Sequence, residues 1–372
     1  MNRTNSSSRS TFVVVDKSVL EQISHYIYAI VFPLVFLSGL IGNLFSSIVF
    51  SVTKLNQTSC GIYFLILALF DSSALIGGLH HCLTIGYHVQ VRNANYCRVR
   101  NFLLYMSMDM ASWMVVAISV DRYLKVKFPI KARMYATRKL AMVVSGIIAV
   151  IFIVKNAHLL TSFIGDFTAN AADNCDPNPD HPKYMFFFKN IWPWIDLTTY
   201  ALLPFVIVTV CNILIIYDQY TRRLKLRKRH LDLSLITLLL ASSISLILCN
   251  LPITILAVIY PYISISYDTN EIYDSVAFTF DLLRLPSYVS LALNFYLYYY
   301  TSILFRQQTV RLFRRLFRSK SKTCDIELPN RIYTFENRCV NRMDSFDELE
   351  EDQQSPVPSI TGSSFISNFY KQ

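Results

Sequence analysis

Residues 26–52 read YIYAIVFPLVFLSGLIGNLFSSIVFSV, twenty-seven positions without a charged side chain. A helix rises about 1.5 Å per residue, so roughly 20 apolar residues cross the hydrocarbon core of a bilayer. Lipid offers no partner to backbone N–H and C=O groups, so such a segment crosses as a helix. Outward from this stretch, six more share its character, at 61–87, 99–124, 140–164, 191–217, 233–262 and 276–304. The fourth is the weakest, interrupted by Lys155-Asn156, and its upper end is open. The short alternating segments of a membrane barrel are absent. The expected architecture is therefore an all-α integral membrane protein, a seven-transmembrane helix bundle over 26–304.

Composition agrees. Of 372 residues 53% are hydrophobic and 16% charged, against about a quarter charged in a soluble domain. The net charge of +10 resides in basic clusters between apolar runs, which suits a membrane protein and not a nucleic-acid binder. Eight cysteines are too few for a disulfide framework. The segments 53–60, 121–139, 218–232 and 304–322 hold 21 Lys and Arg, whereas 1–25, 86–97, 163–190 and 260–275 hold 6. Basic residues favour the cytoplasmic side, so the expectation is a multi-pass plasma-membrane protein with residues 1–25 extracellular and the C-terminus inside. Residues 1–25 are polar and lack the apolar core of a cleavable signal peptide. Asn2 and Asn5 stand in glycosylation sequons on the outer side, while the Asn56 sequon falls inside. Residues 305–318 alternate basic and apolar groups at helical spacing, as a helix lying in the membrane interface does. Residues 319–372 read as a disordered cytoplasmic tail, acidic and rich in Ser and Pro. Its Ser355, Ser359, Thr361, Ser363, Ser364 and Ser367 either accept phosphate or are merely solvated. Cys60, Cys82, Cys211 and Cys249 read as small core residues. Cys324 is either a palmitoylation site or a plain thiol.

Polar residues inside a span cost about 2.5–3.5 kcal/mol each at its centre, which makes them functional candidates. Their order here is Gly42-Asn43, Leu67-Ala68-Leu69-Phe70-Asp71, Cys97, Asp121-Arg122-Tyr123, Pro204, Cys249-Asn250-Leu251-Pro252 and Asn294-Phe295-Tyr296-Leu297-Tyr298. Any one is weak; in sequence, each on its own span, they make the chain resemble a rhodopsin-like (class A) G-protein-coupled receptor from about residue 26 to 318. The resemblance implies that Asp121, Arg122, Tyr123, Asp232, Asn294 and Tyr298 form the switch that couples to a heterotrimeric G protein. In that switch Asp121 and Asp232 hold Arg122 until activation. It implies a Cys97–Cys175 bridge, the alternative being two free thiols, and an eighth helix at 305–318. It also implies a sodium and water pocket of Asn43, Asp71, Ser290 and Asn294. A structural sodium ion near Asp71 is the one cofactor it offers, yet Ala111 stands where a Ser usually supplies an oxygen, and a protonated Asp71 without sodium is the alternative. Arrestin, a receptor kinase and membrane lipids are the further partners implied. Nothing in the sequence reads as an enzyme: there is no metal-ligand cluster, Gly-rich phosphate loop or nucleophile–base set.

The chain departs from the pattern at Asn250, where a Trp is usual, at Phe295 in place of Pro, and at Asn212 in place of Tyr. A kink lost at Phe295 is expected to move toward Pro286. The Asn-Phe-x-x-Tyr form at Asn294–Tyr298 and Leu203-Pro204-Phe205 of the fifth span resemble invertebrate neuropeptide receptors of the FMRFamide-receptor-like type. By the same resemblance the ligand-binding residues are His81, Leu104, Tyr105, Met108, Asp196, Asn250, Arg284 and Tyr288. Leu104 stands where amine receptors place an Asp, and no Lys offers a retinal attachment. Asp196 and Arg284 need partners inside the membrane: each other, Asp109 and Asp281, or a ligand. The outer segments 163–190 and 260–275 carry seven acidic and two basic residues, which would draw a cationic ligand such as an amidated, Arg-containing peptide. The rivals are a same-fold receptor for a lipid or odorant, with a mostly apolar pocket, and a transporter with an ion path through Asp71, Asp109, Lys155 and Asp281. A transporter usually also shows an internal repeat, which is not seen.

Overall fold

The computed structural model describes residues 17–89, 93–161, 167–168, 175–178, 180–226, 233–266 and 270–321. Asn2, Asn5, Asp232, Cys324 and the serines of the expected tail lie outside them. Seven long helices form the bundle. They are α1 (17–52), α2 (Ser59–Gly86), α3 (Ala94–Lys127), α4 (Arg138–Leu159), α5 (182–226), α6 (Leu233–Ser266) and α7 (Asn270–Thr301). Six are long and apolar enough to cross a membrane; α6 has 34 residues and an apolar stretch at Leu248–Tyr262. A short helix, Pro129–Tyr135, joins α3 to α4, and α8 (Ile303–Ser321) follows α7. Among the described residues the strands are one antiparallel pair, β1 (Phe167–Thr168) and β2 (Asp176–Pro177), with Phe167 opposite Pro177. Apolar side chains such as Ile41, Val143, Ile147 and Val150 point outward and are more than half exposed, as lipid-facing positions should be.

The helices start where the sequence supplies caps. Thr58 Oγ1 accepts from Gly61 N–H, Asn93 Oδ1 from Asn95 and Tyr96 N–H, and Thr137 Oγ1 from Leu140 N–H, each satisfying an orphan donor of a first turn. Their ends outrun the apolar stretches. α1 begins at Lys17, α5 at Pro182 and α7 at Asn270, because backbone hydrogen bonding continues after hydropathy has fallen. The reverse holds at α4, which ends at Leu159, short of 164. α8 begins at Ile303 and runs to Ser321, longer than 305–318 at both ends.

Prolines shape the interior. Pro has no N–H and crowds the carbonyl four residues back, and a widened π turn is one way to absorb it. π turns at Ile27–Val31, Phe187–Ile191 and Leu197–Leu202 precede Pro33, Pro193 and Pro204. The carbonyls deprived of a donor find one on a neighbouring helix. Tyr87 OH donates to Ala29 O at 3.1 Å. Ser112 Oγ donates to Tyr200 O at 2.8 Å and Trp113 Nε1 to Thr199 O at 2.9 Å. In α6, Ser287 Oγ donates to Cys249 O at 2.9 Å, three residues before Pro252. α7 is one helix through Pro286 and Phe295. The π turn Cys82–Gly86 of α2 contains no proline; there Gly86 meets the Tyr28 backbone so closely that a Cβ would lie 2.7 Å from Tyr28 C.

Candidate functional site

Polar residues gather at three levels of the bundle. At one end Cys97, in the first turn of α3, is bonded to Cys175 beside β2, with the Cα atoms 5.3 Å apart. Two charged clusters lie on this disulfide end. In the first, Lys155 of α4 places Nζ 2.9 and 3.0 Å from the two oxygens of Asp109 on α3 and 3.0 Å from Asp196 Oδ1 on α5. Asn156 Nδ2 donates to Asp109 Oδ2 at 2.8 Å, and the ammonium lies 5.0 Å from the Trp192 ring centre. Asp109 is 1% exposed; an isolated carboxylate so placed would be untenable, and the ammonium and amide make it tolerable. The residues that broke the fourth apolar run are thus the ones that neutralise α3.

The second cluster joins α2, α3 and α7. Arg100 donates from Nε to Gly77 O at 3.1 Å and from Nη1 to Asn101 Oδ1 at 2.8 Å; its Nη2 lies 2.7 Å from His81 Nε2. On the other side of the imidazole, Arg284 Nη1 is 3.5 Å from His81 Nδ1 and 3.0 Å from Asp281 Oδ1. A guanidinium only donates and a neutral imidazole accepts at one nitrogen, so only one of the two contacts is a hydrogen bond; the 2.7 Å one makes Nε2 the acceptor, and Nδ1–H then faces Arg284 without one. Two guanidinium charges therefore flank one imidazole with a single carboxylate beside them. Among the described residues no carboxylate reaches Arg100. Tyr288 closes the floor: its ring fills the notch at Gly78, where a Cβ would lie 2.4 Å from Tyr288 Cε1.

The expected ligand residues therefore divide. Asp196 and Arg284 do not pair with each other: Arg284 takes Asp281, one of the expected alternatives, while Asp196 takes Lys155, a partner outside the expected set, which also holds Asp109. Tyr105 stands between the clusters, its ring 5.7 Å from Trp192 and its hydroxyl within the fields of both Asp196 and Arg100. Leu104 packs against Gly77. Met108 and Asn250 lie deeper, on the wall of a mid-bundle cavity of about 40 Å³ shared with Asp71, Ala111, Ser290 and Asn294. There Asn294 Nδ2 donates to Asp71 Oδ2 at 2.6 Å, Asn43 Nδ2 to Leu291 O at 3.3 Å, and Ser290 Oγ to Ser287 O at 2.7 Å. Asp71 Oδ1 and Asn250 Oδ1 are buried without partners.

At the opposite end, Asp121 and Arg122 do not form the expected pair. Ser59 Oγ donates to Asp121 Oδ1 at 2.7 Å, and Lys125 Nζ lies 2.7 Å from Asp121 Oδ2 and 2.8 Å from Ser59 Oγ. Arg122 has no carboxylate within ion-pair distance among the described residues, and its Nε is buried without a partner. Helix geometry explains the exchange: side chains four apart share a face, whereas adjacent ones diverge. Tyr123 ends the motif, half-buried. Lys127 Nζ meets Asp218 Oδ1 at 2.9 Å, joining α3 to α5. Tyr298 is buried against Phe64 and Phe305, the latter the first buried ring of α8.

Helices of this length with outward apolar faces and inward charges define a polytopic membrane protein. The family model described as 7 transmembrane receptor (rhodopsin family) matches residues 42–298, and the chain belongs to that family. It is similar to a probable G-protein coupled receptor of Caenorhabditis elegans (26% identical over 255 residues, 61% of this chain and 57% of that one). It is also similar to G-protein coupled receptor 65 of Homo sapiens (26% over 248, 64% and 70%) and to cysteinyl leukotriene receptor 2 of Mus musculus (27% over 204, 53% and 62%). The matches thus span roughly three-fifths of these relatives' own lengths.

Arg100, Ser112 and Trp113 carry contacts that sequence reasoning passed over. Arg100 had a signal, a guanidinium at the second residue of the apolar span 99–124; the other two had none, since a Ser and a Trp on a membrane helix are ordinary packing residues.

Proposed function

We propose that the chain is a G-protein-coupled receptor of the plasma membrane whose disulfide end faces outward and takes a ligand bearing an anionic group, a carboxylate above all. The observation that supports this reading is the Arg100–His81–Arg284 constellation. It holds two guanidinium groups and a neutral imidazole beside one carboxylate, so an incoming acceptor gains charge-assisted hydrogen bonds from Arg100 without displacing an ion pair. The cationic anchor expected at Asp196 is already held by Lys155 at 3.0 Å. One relative is named cysteinyl leukotriene receptor 2. A second reading, a peptide with basic residues, rests on the seven acidic against two basic residues of 163–190 and 260–275. A neuropeptide with a free C-terminal carboxylate would meet both features.

In this reading the cavity at Asp71 is a water site. Its volume exceeds the ~10–15 Å³ that one water needs, and an ion there would lack the oxygen that Ala111 does not supply. The test is a screen of acyl amino acids and peptides, each with its neutral ester or amide, against second-messenger readouts for every Gα class. Carboxylate forms should act and their neutral forms should not. Arg100→Gln or Arg284→Gln should weaken the active compound about tenfold or more, as loss of a charge-assisted bond does. Equal potency of acid and amide would refute the anionic reading.

A further inference from the structure

We infer that Lys125 is a positioning residue for G-protein activation: with Ser59 it holds the Asp121 carboxylate away from Arg122, so that the receptor carries ligand-independent activity. This rests on the reading of the chain as a G-protein-coupled receptor. Asp121 Oδ1 accepts from the Ser59 hydroxyl at 2.7 Å, and Oδ2, which accepts no hydrogen bond, is paired by charge with the Lys125 ammonium at 2.7 Å. Lys125 also donates to Ser59 Oγ at 2.8 Å, closing a three-membered ring of contacts between α2 and α3. Arg122 would have to fold back along its own helix to compete, whereas Lys125 lies one turn on and on the same face. The result is an arginine whose Nε is buried and unpartnered at the mouth of the bundle. A buried donor without an acceptor is a costly arrangement, and a docking protein that supplies the acceptor relieves it. A receptor in which the capturing carboxylate is engaged elsewhere has lost one of the contacts that would bias it toward the resting packing.

The test needs no ligand. Guanine-nucleotide exchange is measured in membranes carrying equal surface amounts of wild type, Lys125→Met, Lys125→Arg and the double variant Lys125→Met/Asp121→Asn, with each Gα class supplied in turn. Wild type should exchange above receptor-free membranes. Lys125→Met should lower that basal rate about fivefold, the upper range for a partly exposed pair, and Lys125→Arg should keep it. Removing the carboxylate as well should restore the rate, because nothing is then left to capture Arg122; a merely structural role for Lys125 would not produce that recovery. A Lys125→Met rate equal to or above wild type, or a double variant as low as Lys125→Met, would overturn the inference. So would a wild type silent with every Gα class. In that case coupling itself is judged separately, by the ligand screen, since an active ligand on a silent receptor rejects the role of Lys125 and keeps the receptor.

Discussion

Arg122 and Lys155 show how differently two buried cations behave in one molecule. Lys155 touches two carboxylates, an amide-held network and an indole face. Its removal would leave Asp109 and Asp196 facing each other without compensation, and breaking such a buried pair costs about 3–5 kcal/mol. Lys155→Met should therefore cut surface expression and thermal stability sharply in a detergent-solubilised melt. Lys155→Met combined with Asp109→Asn and Asp196→Asn should recover much of the loss, because no lone charge remains. Arg122 holds nothing together, so Arg122→Ala should abolish nucleotide exchange while surface expression stays at the wild-type level. A cell-surface label and an exchange assay on the same membranes check both halves.

Among elements, the bent helices rely on their neighbours. The carbonyls left over at Pro204, Tyr200 O and Thr199 O, are capped from α3 by Ser112 and Trp113, and Ser287 of α7 ties Cys249 O of α6 beside Pro252. Lipid cannot replace these donors, so Trp113→Phe or Ser112→Ala should destabilise the receptor by about 1–3 kcal/mol, the cost of a buried acceptor left unmade. A lower melting temperature with unchanged helical circular dichroism is the expected signature. The prolines themselves were plain in the sequence. Which side chains would answer them was not, because that depends on the rotation of α3 and α7 about their own axes, and an apolar run does not specify it.

For the molecule as a whole, the bridge between Cys97 and Cys175 fixes the loop after α4 to the top of α3. Cys97→Ser should reduce surface delivery and ligand response, read by flow cytometry and by a mobility shift without reductant. Seven helices were legible because a hydrocarbon slab admits few solutions for a run of some twenty apolar residues. Their ends were less so, as α1 and α5 show by starting well before their apolar stretches. The charged residues of the candidate site were legible one by one, through the cost of burying them. Their pairing was not: the partners expected for Asp196 did not include Lys155, to which the register of α4 against α5 brings it. The exchange of Arg122 for Lys125 at Asp121 was hidden for a simpler reason, since the resemblance to a family pattern directs attention to the motif and away from the residue one turn beyond it.

Tyr288, keyed into the notch at Gly78 and met edge-on by Phe32 at 5.1 Å, welds three helices into a slab. α1, α2 and α7 can tilt only as one body, because sliding any of them would drive a ring into a backbone. The bent helices outside that slab are α5, held at its bend by the Ser112 hydroxyl and the Trp113 indole, and α6, tied to the slab beside Pro252 by the Ser287 hydroxyl. In the proposed receptor, a signal has these two hinged staves to move against one fixed wall.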